Sequence, residues 1–200
     1  MKKIDIILAL ITGEAVAWLF VHILKGVEFL AKIELLNWIL FVSFPILAVI
    51  GLWICYLIGK KFLFVLQVGK FFLTGAFVTV VDLGVLNLLM FVSGITAGTL
   101  FSVFKGISFL VATTTKYLGS KFWIFEKFET GFSRKEIIKF LIVTLFGLGI
   151  NVGAASFLVN IIGPQFNITE NAWANIGGIV AALASATWNF LGFKFIVFKK

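Results

Sequence analysis

Long apolar stretches, interrupted only by short polar breaks, constrain this chain more than any other feature of its sequence. Hydrophobic residues make up 61% of the 200 positions and charged residues only 13%, far from the balance of a soluble domain. A helix needs about 20 mostly apolar residues to cross a bilayer. The pattern predicts an all-α integral membrane protein with about six transmembrane helices and no room for a soluble catalytic domain.

The candidate spans are residues 4–24, 35–58, 70–92, 101–126, 139–162 and 173–198. Residues 25–35 predict a helical extension or an interfacial turn, and Pro45 predicts a kink in the second span. Lys60, Lys61 and Lys70 predict a basic loop before the third span. The first span has the length of a signal peptide, but Glu14 at the end of its apolar region favours a retained helix.

Positive charge is spread unevenly over the breaks between the spans, and the net charge is +8. The breaks at 60–70 and 126–139 and the C-terminus are basic, whereas 94–102 and 163–172 contain no Lys or Arg. Positive residues mark the cytoplasmic side, so we expect both termini to be cytoplasmic. The mixed break at 25–34 fits this orientation least well. Basic clusters beside spans contact anionic lipid headgroups, and we expect no nucleic-acid partner.

The last four predicted spans contain an internal repeat. The segment that begins at Lys70 matches the one that begins at Lys139, and the same register places Asp82 on Asn151. Residues 117–125 match residues 190–198 in a similar way, which sets Lys116 against Asn189. Because each unit contains a pair of spans, both units enter the membrane from the same side. This predicts a parallel repeat with its sites between the units.

These segments resemble the GtrA-like family of small polytopic membrane proteins, whose four-helix core is also attached to some dolichol-phosphate mannose synthases. The resemblance rests on KFFLTGAFVTVVDLGVLNLLM from residue 70, KFLIVTLFGLGINV from residue 139, and the segments 121–125 and 188–198. It implies a four-helix core of two parallel two-helix repeats. We therefore divide the chain into an N-terminal helical hairpin, 1–65, and a GtrA-like transmembrane domain, 66–200.

The resemblance implies the handling of polyprenyl-phosphate-linked sugars. The main hypothesis is a flippase or carrier for a polyprenyl-phosphate monosaccharide in the cytoplasmic membrane of a prokaryote, serving cell-surface polysaccharide or glycoconjugate synthesis. One alternative is a non-catalytic anchor that recruits a glycosyltransferase through the basic 126–139 loop. Another is an exporter of small cations that uses Glu14 and Asp82. The sequence offers no catalytic set, metal-ligand spacing or nucleotide-binding loop, so we expect no enzyme activity and no cofactor.

The candidate substrate-binding residues are polar or charged side chains of the last four spans. Asp82 lies well inside the third span, and it either binds sugar hydroxyls or pairs with Lys105 or Lys116. Lys116 replaces an asparagine that is frequent in the family and is the preferred phosphate contact, with snorkelling to headgroups as the alternative. The full set is Asp82, Lys105, Lys116, Lys121, Asn151, Asn189 and Lys194.

Small residues form a stripe along the sixth span, and the fifth span contains Gly149-x-x-x-Gly153. Such residues allow helices to approach closely. They predict either the interface between the repeats or a homodimer contact. The stripe consists of Ala174, Gly178, Ala181, Ser185 and Gly192.

Overall fold

The computed structural model describes residues 1–27, 30, 32–126 and 133–197. Within these residues the chain is helical and has no strand apart from an isolated bridge between Val27 and Ile168. The helices are α1 (Lys3–Leu24), α2 (Glu34–Gly59), α3 (Leu63–Ser93), α4 (Gly98–Leu118), α5 (Arg134–Ser156) and α6 (Glu170–Gly192). Together with their π-helical extensions they form six segments long and apolar enough to cross a membrane. The predicted all-α, multi-pass membrane fold is confirmed.

Wider π-helical turns continue three of the helices. They are Gly119–Ile124 after α4, Phe157–Ile162 after α5 and Phe193–Val197 after α6. The turns after α4 and α6 occupy matching positions in the two units of the predicted repeat. π-Helical turns are rare and occur frequently at functional sites. Lys121 and Lys194 both lie in these turns.

The short connections place successive helices antiparallel and give the bundle two distinct ends. One end carries the start of α1, the turn between α2 and α3, and the end of α6, and we call it the terminal end. The end of α4 and the start of α5 lie at this end too. The opposite end, which we call the loop end, carries the α1–α2, α3–α4 and α5–α6 connections. There the backbone N–H of Thr169 donates to the carbonyl of Gly26 over 3.1 Å, which joins the α1–α2 and α5–α6 connections.

The small-residue stripe of α6 packs inside the chain. A Cβ built on Gly178 would lie 2.3 Å from Cδ2 of Leu83 in α3, and one built on Gly192 would lie 2.4 Å from Cγ1 of Val143 in α5. An added side chain at either position would force the facing Leu83 or Val143 to shift, so glycine allows the close approach of these helices. Gly149 and Gly153 of α5 instead face open space, with nothing within 4 Å of an added Cβ.

The N-terminal hairpin packs against α3 and α6 of the remaining helices. Helix α1 contacts both α3 and α6, and α2 packs against α1 and α3. The crossing of α1 and α2 is close because a Cβ on Gly13 would lie only 2.4 Å from Cα of Pro45, which stands inside α2. Helix α1 therefore covers one of the two seams between the repeats.

The prediction that Lys70 belongs to a basic loop is wrong. Helix α3 begins at Leu63, and Lys70 lies inside it with 3% of its surface exposed. Its charge is compensated by Asp5 Oδ1 at 3.2 Å and Glu126 Oε1 at 3.1 Å, so the lysine can be buried within the helix without contact with water. The predicted feature over 25–35 lies partly outside the described residues; residues 25–26 form a turn.

Candidate functional site

A cavity of about 220 Å³ lies at mid-depth in the bundle. Residues of α1, α3, α4, α5 and α6 line it, and most of the wall is apolar. The polar side chains in the wall are Thr79, Asp82, Lys116, Asn151 and Ser185. It therefore brings three of the predicted site residues together, from both units of the repeat.

Asp82 is buried and paired with Lys105. The side chains are 5% and 0% exposed, and Lys105 Nζ donates to Asp82 Oδ2. The hydroxyl of Ser108 donates to the other carboxylate oxygen. A buried charge is tolerated only with such compensation. Of the two partners that the sequence left open for Asp82, the structure therefore selects Lys105, and the pair ties α3 to α4.

Lys116 has a different environment. Its Nζ lies 5.6 Å from the ring centroids of Phe109 and Phe193, and within the described residues no carboxylate lies within ion-pair distance of it. Asp82 interacts with it electrostatically but is already paired with Lys105. The charged groups around the cavity thus leave one ammonium uncompensated. An apolar wall strengthens the attraction of such a group for an anion.

Two buried asparagines of the second unit have unsatisfied amide groups. Asn151 lines the cavity, is 1% exposed, and has no hydrogen-bond partner for its Oδ1 within the described part of the chain. Asn189 is fully buried, and neither of its amide atoms has such a partner. It packs tightly on Gly147, whose added Cβ would lie 2.5 Å from Asn189 Oδ1. Unpaired buried polar groups cost about 1–3 kcal/mol each, so a ligand that satisfied them would recover that energy.

Lys121 and Lys194 lie outside the cavity lining. Lys121 is 1% exposed, and its Nζ lies 2.8 Å from Glu136 Oε1, the oxygen to which Tyr117 donates over 2.7 Å. Lys194 Nζ lies 3.8 Å above the ring centroid of Phe64. The structure therefore does not bring Lys121 and Lys116 together as a double phosphate contact.

Glu14 and Asp82 are separated. Glu14 is exposed on the outer face of α1 and lines a shallow depression with Trp18 and Pro45, whereas Asp82 lines the central cavity. A proton-coupled exporter that used both carboxylates would need them on one path, and this geometry does not provide one.

Sequence reasoning missed a charged cluster at the terminal end. Trp123 Nε1 donates to Asp5 Oδ1 over 2.8 Å, and Lys2 Nζ lies 3.0 Å from Glu126 Oε1. Lys70 connects these two acids. Partial burial raises the pKa of Glu126, but the hydrogen bonds from Lys2 and Lys70 outweigh it, and the pKa falls below its ordinary value. The available signal was an acid and a lysine, Asp5 and Lys70, each within a helix-length apolar run.

Membrane-crossing helices around a mostly apolar cavity, with a buried ion pair and an uncompensated ammonium, define an integral multi-pass membrane protein with an internal polar site. Residues 70–198 match the family model described as GtrA/DPMS, transmembrane domain. The chain belongs to this family, and the resemblance noted in its sequence is confirmed. No curated protein and no solved structure matches it. The family supports a membrane protein linked to polyprenyl-phosphate sugar processes.

Proposed function

We propose that this protein is a flippase or carrier for a polyprenyl-phosphate-linked monosaccharide. The observation that carries the proposal is the ammonium of Lys116, which has no carboxylate within ion-pair distance among the described residues and lies in a largely apolar cavity. The phosphodiester between a prenol and a sugar carries a single negative charge. That charge balances the single positive charge of Lys116, since Asp82 and Lys105 neutralise each other.

The proposed headgroup position follows from the donors and acceptors around the cavity. The phosphate lies at Lys116, where a charge-assisted contact is strong because water is scarce. Sugar hydroxyls donate to Oδ1 of Asn151 and to the carboxylate of Asp82. Asn189, now packed on Gly147, adds its amide if α5 and α6 separate during transport. Lys121 and Lys194 keep a role nearer the terminal end, where the lipid headgroup enters.

The proposed orientation has both termini in the cytoplasm of a prokaryotic cell. Exposed cations are frequent at the terminal end, where Lys60, Lys61, Arg134 and Lys135 lie. The loop end exposes Lys25 and Lys32, while its other two connections carry no Lys or Arg. This asymmetry favours a cytoplasmic terminal end.

The same exposed cations favour a second candidate, a non-catalytic anchor that recruits a glycosyltransferase to the membrane. In that case the terminal end would bind an acidic surface of the partner, and the cavity would serve only packing. Purification from native membrane separates the candidates. An anchor would bring the glycosyltransferase with it and would move no lipid on its own.

Transport by the purified protein tests the proposal. Liposomes carry a fluorescent polyprenyl-phosphate monosaccharide in both leaflets, and a membrane-impermeant quencher is added outside. We expect the wild-type protein to bring the inner pool to the quencher. Lys116→Gln should slow this about tenfold or more, because a charge-assisted contact contributes about 1.5–3 kcal/mol.

Lys60→Gln is the matched control, because Lys60 is an exposed lysine near the ring of Tyr56 that does not line the cavity. It should transport like the wild type. Wild-type protein that leaves the inner pool untouched would reject the flippase. Equal rates for Lys116→Gln and the wild type would reject the site.

A further inference from the structure

A second cavity, of about 450 Å³, lies between α2 and α3 in the half of the bundle nearer the terminal end. Its lining comes from Leu47 to Cys55 of α2 and from Phe64 to Leu73 of α3, and it contains no charged side chain. Leu47, Phe64 and Phe72 in this lining are about half or more exposed, which leaves the cavity open to the bilayer as a groove. Only an apolar occupant suits such a wall, since a polar group would lose its hydrogen bonds there.

The groove adjoins the cavity that contains Lys116, since Phe72 lines both. Along α3, one face runs from Asp82 through Thr79 and Gly75 to Phe72, and the groove begins there. At 1.5 Å per residue, Asp82 and Phe72 are about 15 Å apart along the helix axis. The tail of a lipid whose phosphate lies at Lys116 would reach the groove by passing Phe72.

We propose that the α2–α3 groove binds the isoprenoid tail of the lipid whose headgroup occupies the central cavity. This inference rests on the proposed function. The groove exists only because the hairpin is present: its α2 wall lies outside the family match, which begins at residue 70. The hairpin thus supplies a tail site that the family domain alone does not contain.

The shape of the groove favours a branched chain. Its walls include Ala48, Gly51 and Gly69 beside bulky Leu and Phe residues, so the surface is uneven. Lipid tails are as apolar as the groove, so selectivity must come from packing contacts rather than from the hydrophobic effect. The regularly spaced methyl branches of an isoprenoid fill an uneven surface better than a linear acyl chain does.

Gly51 offers a direct way to fill the groove. An added Cβ at Gly51 meets nothing within 4 Å, so a phenylalanine there extends into open space instead of into a neighbour. Gly149 of α5 is the matched control, since its Cβ is equally free and it lines neither the cavity nor the groove. Both substitutions replace a glycine inside a helix, which favours the helical state.

The test compares binding of undecaprenyl-phosphate glucose with binding of its geranyl-phosphate analogue by native mass spectrometry. The analogue keeps the headgroup but lacks most of the tail. We expect Gly51→Phe to weaken binding of the long-chain lipid about tenfold through lost packing contacts. Binding of the geranyl analogue should be unchanged in this variant. Gly149→Phe should bind both ligands as the wild type does.

Long-chain binding that is unchanged in Gly51→Phe would overturn the tail site while leaving the proposed function in place. Equal losses for both ligands would also overturn it, because the substitution would then act on the headgroup cavity. If Gly51→Phe weakened binding of a dioleoyl phospholipid to the same extent, the occupant of the groove would be an ordinary lipid and not the isoprenoid. Failure of the wild type to bind either phosphate sugar would reject the proposed function itself.

Cys55 provides a second measurement that needs no substitution. It is the only cysteine in the chain, it lines the groove, and it is partly exposed. In the wild-type protein, the long-chain lipid should slow the reaction of Cys55 with a membrane-permeant maleimide, and the geranyl analogue should not. Equal rates with and without bound long-chain lipid would contradict the assignment.

Discussion

Breaking the pair between Asp82 and Lys105 should destabilise the protein strongly. Both side chains are almost fully buried, so loss of one partner leaves a charge without water or a counter-ion. Such losses cost about 3–5 kcal/mol, whereas replacing both partners by apolar residues of similar volume is often neutral or stabilising. We therefore expect Asp82→Leu and Lys105→Met each to lower the free energy of unfolding, and the double variant to recover most of the loss.

The structure also predicts that the two single changes differ. Asp82→Leu leaves Lys105 unpaired and removes the only carboxylate that interacts with Lys116 among the described residues. Lys105→Met leaves Asp82 with the Ser108 hydrogen bond and the field of Lys116. Asp82→Leu should be the more costly change. Ser108 adds little to the difference because its hydroxyl keeps the Lys105 carbonyl as an acceptor over 3.1 Å.

Reversible unfolding in mixed micelles, followed by tryptophan fluorescence, measures these free energies. Strong coupling between the two positions is the expected result. Single changes that cost under about 1 kcal/mol, or losses that simply add in the double variant, would show that the pair is not buried as described.

Three further predictions concern the charged cluster at the terminal end and the packing of α6. Lys70→Met should lower the free energy of unfolding by about 3–5 kcal/mol, since it leaves the buried Asp5 unpaired; the same unfolding assay measures it. The pKa of Glu126 is lower in the folded protein, so the contribution of Glu126 to stability is complete at pH values above its unfolded pKa and is lost as pH falls through the folded value. Glu126→Gln should therefore lose less stability than the wild type between neutral and acidic pH. An equal loss of stability in the variant and the wild type would contradict the contact. Gly178→Leu should destabilise the protein by about 1–3 kcal/mol through overpacking. Gly149→Leu, whose side chain extends into open space, should not destabilise it. Equal thermal stability of the two variants would disprove the packing described for α6.

Apolar runs were sufficient to predict the helices because a bilayer demands long hydrophobic segments with internally satisfied backbones. The spans starting near residues 4 and 35 agree with α1 and α2 to within a residue or so. The predicted start of α3 is wrong because a lysine beside an apolar run is typical of a loop, whereas Lys70 lies inside the helix. Its neutralisation by Asp5 and Glu126 depends on contacts between distant segments, and no local pattern reports them.

The site was only partly predictable. A charge inside an apolar span was enough to identify Asp82 and Lys116 as unusual, and the repeat register identified Asn151 as the counterpart of Asp82. Which lysine pairs with Asp82 depends on how α4 is rotated about its axis, and the sequence left this open. The pairing of Lys121 with Glu136 crosses a connection that includes residues 127–132, which lie outside the described residues, and helix periodicity could not predict it.

Binding of a polyprenyl-phosphate monosaccharide to the intact protein tests the central claim most directly. Native mass spectrometry of the gently extracted protein, titrated with this lipid, should show one bound lipid with the wild type and with Lys60→Gln. Lys116→Gln should bind about 10- to 100-fold more weakly, whatever sugar the lipid carries, because the lost contact is to the phosphate. Binding by Lys116→Gln that equals the wild type, or wild-type protein that takes up only ordinary phospholipids, would contradict the account.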